Sequence, residues 1–97
     1  YTDYETSTPI LEFIFNKRVK TTENNIKSTL EQNGFSNVDI ILNYSTQNGT
    51  LVINSCKVNL KNLVISADKQ HINKYEFIGD IIAQETNLTS EVIIFDG

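Results

Sequence analysis

The sequence predicts an α+β fold in the order α-β-β-α-β, a two-layer sandwich with two helices on one face of a three-stranded sheet. Three observations carry this. Two segments run alike: an amphipathic helix, a left-handed stop, a small polar turn and a β-branched strand. The first passes through Asn33-Gly34-Phe35 into residues 38–42, and the second through Thr86-Asn87-Leu88 into residues 92–95. Between them, Gln47-Asn48-Gly49-Thr50 is a hairpin signal. Hairpin strands are antiparallel, whereas consecutive αβ units of the same sense set their strands parallel. The last strand is therefore expected beside the first, in the order 3-1-2.

Residues 1–7 are polar and without period, which predicts a frayed lead-in before a folded unit over 8–96. Thr8 followed by Pro9 is a helix-start signal, a capping hydroxyl and then the ring tolerated at the first helical position. Leu11, Phe15, Val19, Ile26 and Leu30 form one stripe, with Thr22 in its middle. The first helix is therefore expected over 9–33, roughly 37 Å long. Its opening turns, carrying Ile10, Phe13 and Ile14, are expected to project beyond the sheet. Gly34 supplies the left-handed stop, and Phe35 is placed for the contact that accompanies it.

The first strand alternates, with Val38, Ile40, Leu42 and Tyr44 on one face and Asp39, Ile41, Asn43 and Ser45 on the other. A two-residue turn at Asn48-Gly49 would set Leu42 opposite Ser55 and Ile40 opposite Lys57, a poor core. A three-residue loop with Gly49 left-handed sets Tyr44 opposite Val52, Ile40 opposite Cys56 and Val38 opposite Val58, and is the expected turn. The second strand then runs through Leu60 toward Ile65. Asn73 with Glu76 three residues on predicts the cap of the second helix, whose stripe is Tyr75, Ile78, Ile82 and Glu85, flanked by Phe77 and Ile81. Gly79 lies mid-helix, where close backbone packing would account for it. Residues 91–95 form the last strand.

At 97 residues the chain is a single domain, and 39% apolar residues are enough for a core rather than a disordered chain. The net charge of −4 is spread along it, which argues against a nucleic-acid partner, since phosphate binding needs a basic stripe. No apolar run reaches the roughly 18 residues of a membrane span, and there is no secretory leader pattern. The chain contains no methionine, so it is expected to be excerpted from a longer protein that continues upstream. Seven lysines against one arginine, with 13 isoleucines and 12 asparagines, reflect AT-rich codons and a bacterial source. On that ground the glycosylation triplets at Asn43, Asn48 and Asn87 are chance matches.

No residue pattern points to catalysis, a cofactor or a metal. His71 is the only histidine, and neither Asp68 nor Glu76 stands at a ligand spacing from it, so it reads as an exposed loop residue. Cys56 is alone, and its inward position in the second strand reads as a buried, inert thiol. Asp39 and Glu91, near the starts of two strands, would pair only if those strands were neighbours. Lys17, Arg18, Lys20 and Lys27 read as a wet helix face, or as a contact to an acidic partner or to lipid headgroups.

Surface hydrophobicity is left over. Leu51, Ile53, Leu63 and Ile65 share one side of the second strand, with Ile41 on that side of the first. If two helices cover only the other face, these residues form an exposed apolar patch, the candidate interface, followed by Phe13 and Ile14. A bulge near Asn54-Ser55 or over 59–62 would instead turn some of them into the core. Both readings stand at this point.

The element order, the Gly34-Phe35 and Asn87-Leu88 stops and the Thr86-Asn87-Leu88-Thr89-Ser90 turn resemble the ring-building-motif family. That family includes the stage III sporulation proteins AF, AG and AH, and the soluble C-terminal part of AF is the most similar. The likeness covers residues 9–96 in pattern and order. It implies a non-enzymatic assembly domain, anchored in the bacterial cell membrane by upstream helices, in the channel that joins mother cell and forespore in endospore formation. The partners it implies are other channel subunits, or further copies of the chain once anchored. It carries over no catalytic or cofactor residues. The alternative is a ferredoxin-like α+β domain that binds a small ligand or acts as an enzyme, because the same layers host many functions.

Overall fold

The computed structural model describes residues 3–97, with side chains from Glu12 onward. Helix α1 (Asp3–Gln32) is longer than the sequence predicts, about 45 Å at the usual rise. Thr8-Pro9 is not its start. Pro9 has no amide hydrogen, so it removes one bond from the opening stretch of the helix instead of ending it. Of the frayed lead-in expected over 1–7, residues 1–2 lie outside the described residues and 3–7 are helical. Ile10 of the opening turns and Leu11 of the stripe also lie outside the described side chains.

The rest of the α1 stripe faces inward as expected: Phe15, Val19, Ile26 and Leu30 are all buried. Thr22, half-buried among them, returns its hydroxyl to the Arg18 carbonyl at 3.0 Å, which lets a polar residue sit on an apolar stripe. The helix ends at Gly34, whose φ is +88°. Gly34 is doubly required, because a Cβ there would stand 2.9 Å from both the Lys69 Cγ and the Ser66 Oγ. Phe35 follows it into the core, fully buried and stacked on Phe77 at 4.9 Å between centroids.

Two small sheets follow. Strand β1 (Phe35–Ser36) pairs antiparallel with β4 (Val64–Ile65). The larger sheet holds β2 (Asp39–Gln47), β3 (Thr50–Asn59) and β5 (Ile93–Asp96), with β3 in the middle. The last strand therefore lies parallel to the second hairpin strand, and the expected 3-1-2 order is corrected to 1-2-3. A physical reason is visible on the outer edge of β2. The Leu42 amide there is already taken by the Glu23 carboxylate of α1 at 2.8 Å, whereas the far edge of β3 is free for the chain returning from helix α2 (Lys74–Thr86).

The hairpin turn also differs from expectation. Gln47 pairs directly with Thr50, so the loop has two residues, Asn48 at φ +54° and Gly49 at φ +77°. This is the left-handed pair that matches the strand twist. The poor register that a two-residue loop would impose is repaired five residues later. Asn43 opposes Ser55 and Tyr44 opposes Ile53, which leaves Asn54 as the extra residue of a β-bulge. Side-chain bonds bracket it, from Asn54 Nδ2 to Ser45 Oγ at 3.1 Å and from Asn43 Nδ2 to Ser55 Oγ at 3.0 Å. Leu42 then faces Cys56 and Ile40 faces Val58, all four of them buried.

Strand β3 stops at Asn59 and does not continue to Ile65. The Asn59 side chain accepts the Lys61 amide at 2.9 Å, Leu63 N–H bonds the Leu60 carbonyl at 3.1 Å, and the chain turns back to β1. Helix α2 starts as expected, with Asn73 Oδ1 accepting the amides of Tyr75 and Glu76 at 3.1 and 3.3 Å. It closes at Asn87 with φ +63°, the Asn87 amide bonding the Ala83 carbonyl at 2.8 Å. Ile78, Ile81 and Ile82 are buried, but Tyr75 is exposed and packs edge-on against Phe95, 5.2 Å between centroids. Both helices contribute to the one core formed with Ile40, Leu42, Cys56, Val58 and Ile93, so they cover the same face of the sheet. Among the described residues nothing covers the opposite face, where Ile41 and Ile94 are exposed.

Gly79 is not a site of close packing, since a Cβ there would meet nothing within 4 Å. The two glycines therefore predict opposite outcomes. Gly79→Ala is expected to raise stability by up to ~1 kcal/mol, the helix-propensity difference. Gly34→Ala is expected to lower it by about 2 kcal/mol, from the left-handed φ and the displaced Ser66 and Lys69 side chains. Urea unfolding of the two variants checks both signs.

Candidate functional site

The described residues bring no reactive group together. Cys56 is buried in the middle of the sheet, where Leu42 and Ile93 flank it on the neighbouring strands. Burial, with the negative Glu23 carboxylate adding to it, pushes its thiol up to about 12, the reverse of what a nucleophile needs. His71 is exposed on the turn before α2, and the hollow of about 230 Å³ beside it is lined by Ile72, Asn73, Glu76, Phe77 and Asp80. Asp39 and Glu91 are not neighbours, because β3 stands between the strands that they precede or begin. Among the described residues no group of three or more His, Cys, Asp and Glu side chains could hold a metal ion. A larger hollow of about 430 Å³, at the end of α1, is lined by side chains of mixed charge, among them Lys27, Glu31 and Asp39.

What the chain does present is apolar surface. Phe13 is 67% exposed and Ile14 is 42% exposed on α1, and Phe13 borders Tyr44, Ser45 and Thr46 of β2 instead of projecting beyond the sheet. One turn further along, Lys17, Arg18 and Lys20 are exposed as well, and no acidic residue lies between Phe13 and Thr22. This face combines hydrophobic and cationic groups.

The other four candidate residues do not share one strand face. The bulge at Asn54 turns Leu51 and Ile53 to the helix side, opposite Thr46 and Tyr44, where they are half-buried against the core. Leu63 lies in the turn after β3 and Ile65 on β4, both packed against the same core. A surface made of these four would need them bare, and the chain's own packing already covers them in part.

Two apolar surfaces were less legible in the sequence. On the bare face of the sheet, Ile41, Lys57 and Ile94 stand in one row across the three strands, and each isoleucine is 53% exposed. The Lys57 ammonium is 3.7 Å from the Asp96 carboxylate, the one ion pair among the described residues. The strand parity of Ile41 and Ile94 was the available signal. The second surface is a groove of about 390 Å³ between α2 and the C-terminal segment, with Tyr75, Gly79, Ala83, Leu88 and Phe95 in its walls and Glu76 and Asp80 on its α2 side. Its signal was Gly79, which leaves space in the surface instead of allowing a close approach.

Comparison with protein-family models, with curated proteins and with solved structures finds no match to this chain.

Two predictions follow from these placements. Ile53→Lys with Ile65→Lys puts two charges into half-buried core contacts and is expected to cost about 2–4 kcal/mol of stability, read as a lowered urea midpoint. Cys56 predicts a pH dependence. Above about 9 an unfolded chain releases the thiol proton, while the folded chain holds it until about 12. The unfolded state then binds fewer protons, so stability falls with rising pH across that window, by about 1.4 kcal/mol per pH unit. Below it the thiol contributes no slope. Cys56→Ala is expected to be less stable at neutral pH but to lack this share of the alkaline decline, as urea titrations of both proteins at pH 8 to 11 would measure.

Proposed function

We propose that this chain is a non-enzymatic assembly domain of a membrane-embedded bacterial complex, and that the complex is the channel joining mother cell and forespore in endospore formation. The observation that carries the assembly reading is the apolar surface left outside the chain's own core, above all Phe13 and Ile14 beside Lys17, Arg18 and Lys20. Isolated exposed apolar residues are ordinary, but adjacent ones with a cationic border are a usual form of protein contact. Two helices on one face of the three-stranded sheet support the likeness to ring-building modules, while the β1–β4 pair and the placing of β5 beside β3 depart from the expected order.

On this reading the partners are other subunits of the channel or further copies of the chain. An upstream segment holds the domain at the mother-cell membrane. Anchoring confines neighbours to a plane and raises their effective concentration, so small contact patches suffice. The untethered domain is then expected to be largely monomeric at micromolar concentration.

The test uses the full-length protein in an endospore-forming host. Phe13→Glu with Ile14→Glu alters exposed positions and is expected to change stability by no more than ~0.5 kcal/mol. It should reduce the yield of heat-resistant spores about tenfold or more, the equivalent of ~1.4 kcal/mol of lost contact. A folded double variant that sporulates at the wild-type level would overturn the reading.

A further inference from the structure

We infer that the groove between α2 and the C-terminal segment receives the exposed cationic face of α1 from a second copy of this chain. The inference rests on the assembly reading and specifies which two surfaces meet. The groove is mostly apolar, with Thr89 and Ser90 at one end of its lining, and a Cβ placed on Gly79 would meet nothing within 4 Å. Its α2 side carries Glu76 and Asp80, exposed, one helical turn apart and with no cationic partner among the described residues. Like charges at that spacing oppose each other on an isolated helix. Cations brought by a partner would relieve this.

Helix α1 carries the complement. Phe13, Lys17 and Lys20 share one stripe of the helix, and Ile14 and Arg18 lie beside it. An apolar pair followed at one turn by cations matches an apolar groove bordered by carboxylates, in the manner of a helix laid into a groove. In a chain of net charge −4 this is the one acid-free cationic run of the described helices, so the two surfaces are complementary in sign as well as in polarity.

The same chain cannot satisfy both surfaces. Tyr75 packs against Phe95, which is in register with Val58, while Phe13 borders a hollow shared with Tyr44, Ser45 and Thr46 next to the hairpin turn. Tyr44, Ser45 and Thr46 pair with Ile53, Val52 and Leu51, which stand about 16–23 Å along β3 from Val58. The contact is therefore between unlike surfaces of successive copies, a head-to-tail arrangement that continues until it closes into a ring or runs on as a filament. Each contact is small, so it is weak without tethering.

Nuclear magnetic resonance of the labelled protein, from ~0.05 to ~2 mM, tests this directly. Amide shifts that depend on concentration are expected together at residues 13–21 and 75–95, and should diminish as salt is raised. Lys17→Glu with Arg18→Glu, and separately Glu76→Lys with Asp80→Lys, should each weaken self-association about tenfold. Mixing the two folded variants should restore association between them. Concentration-dependent shifts confined to other surfaces would overturn the pairing and leave the assembly reading intact. No self-association, either in solution or with the protein tethered to neutral vesicles, would overturn the pairing and leave other subunits as the partners of the assembly reading. Shifts at 13–21 alone, seen only with vesicles containing anionic lipid, would assign α1 to the membrane surface and likewise overturn the pairing.

Discussion

The carboxylate of Glu23, bonded to the Leu42 amide at 2.8 Å, fixes much of what the rest of the chain can do. A long helix on a small sheet could slide or swing, because apolar contacts are not directional. A charge-assisted bond to one backbone hydrogen sets its position along β2. Glu23 lies between Val19 and Ile26, so the tether sits in the middle of the buried stripe and aligns both halves of it. It also occupies part of the outer edge of β2. The chain returning from α2 then pairs with β3, and a hairpin becomes a mixed three-stranded sheet.

The bulge at Asn54 is the second constraint, and it explains why the sequence is legible only in part. The alternation of Val38, Ile40 and Leu42 and the inward place of Cys56 and Val58 could be read directly, as could the stops at Gly34 and Asn87 and the Asn73 cap. What could not be read was how one parity becomes another. A three-residue loop and a two-residue loop with a bulge solve the same register problem, and they differ in where the extra residue is placed. The structure puts it at Asn54, and this carries Leu51 and Ile53 from the bare face to the covered one. The strand order was missed because the bond between Glu23 and a backbone amide leaves no periodic trace in sequence.

The candidate surfaces divide in the same way. The exposure of Phe13 and Ile14 follows from their lying off the buried stripe of α1. Tyr75 belongs to the α2 stripe by period yet is exposed, since a stripe includes residues at its margin whose burial depends on what lies opposite. Opposite Tyr75 is Phe95, itself only partly buried, at the end of a short strand. The groove requires α2 and the C-terminal segment to be placed together, and that placement follows from the β3–β5 pairing that the sequence reading lacked.

The chemistry of sulfur gives the burial of Cys56 a wider meaning. Methionine is absent, so Cys56 carries the only sulfur in the chain. Peroxide, hypohalous acids and nitrosating agents act on thiolates and thioethers that they can reach. This thiol is shielded by both neighbouring strands and is held in its protonated form. The folded domain is therefore silent to thiol oxidation: it is not switched by a sulfenic acid, capped by glutathione or joined to a neighbour by a disulfide. Any sulfur-oxidised or disulfide-linked form of the chain is a record of molecules that had opened.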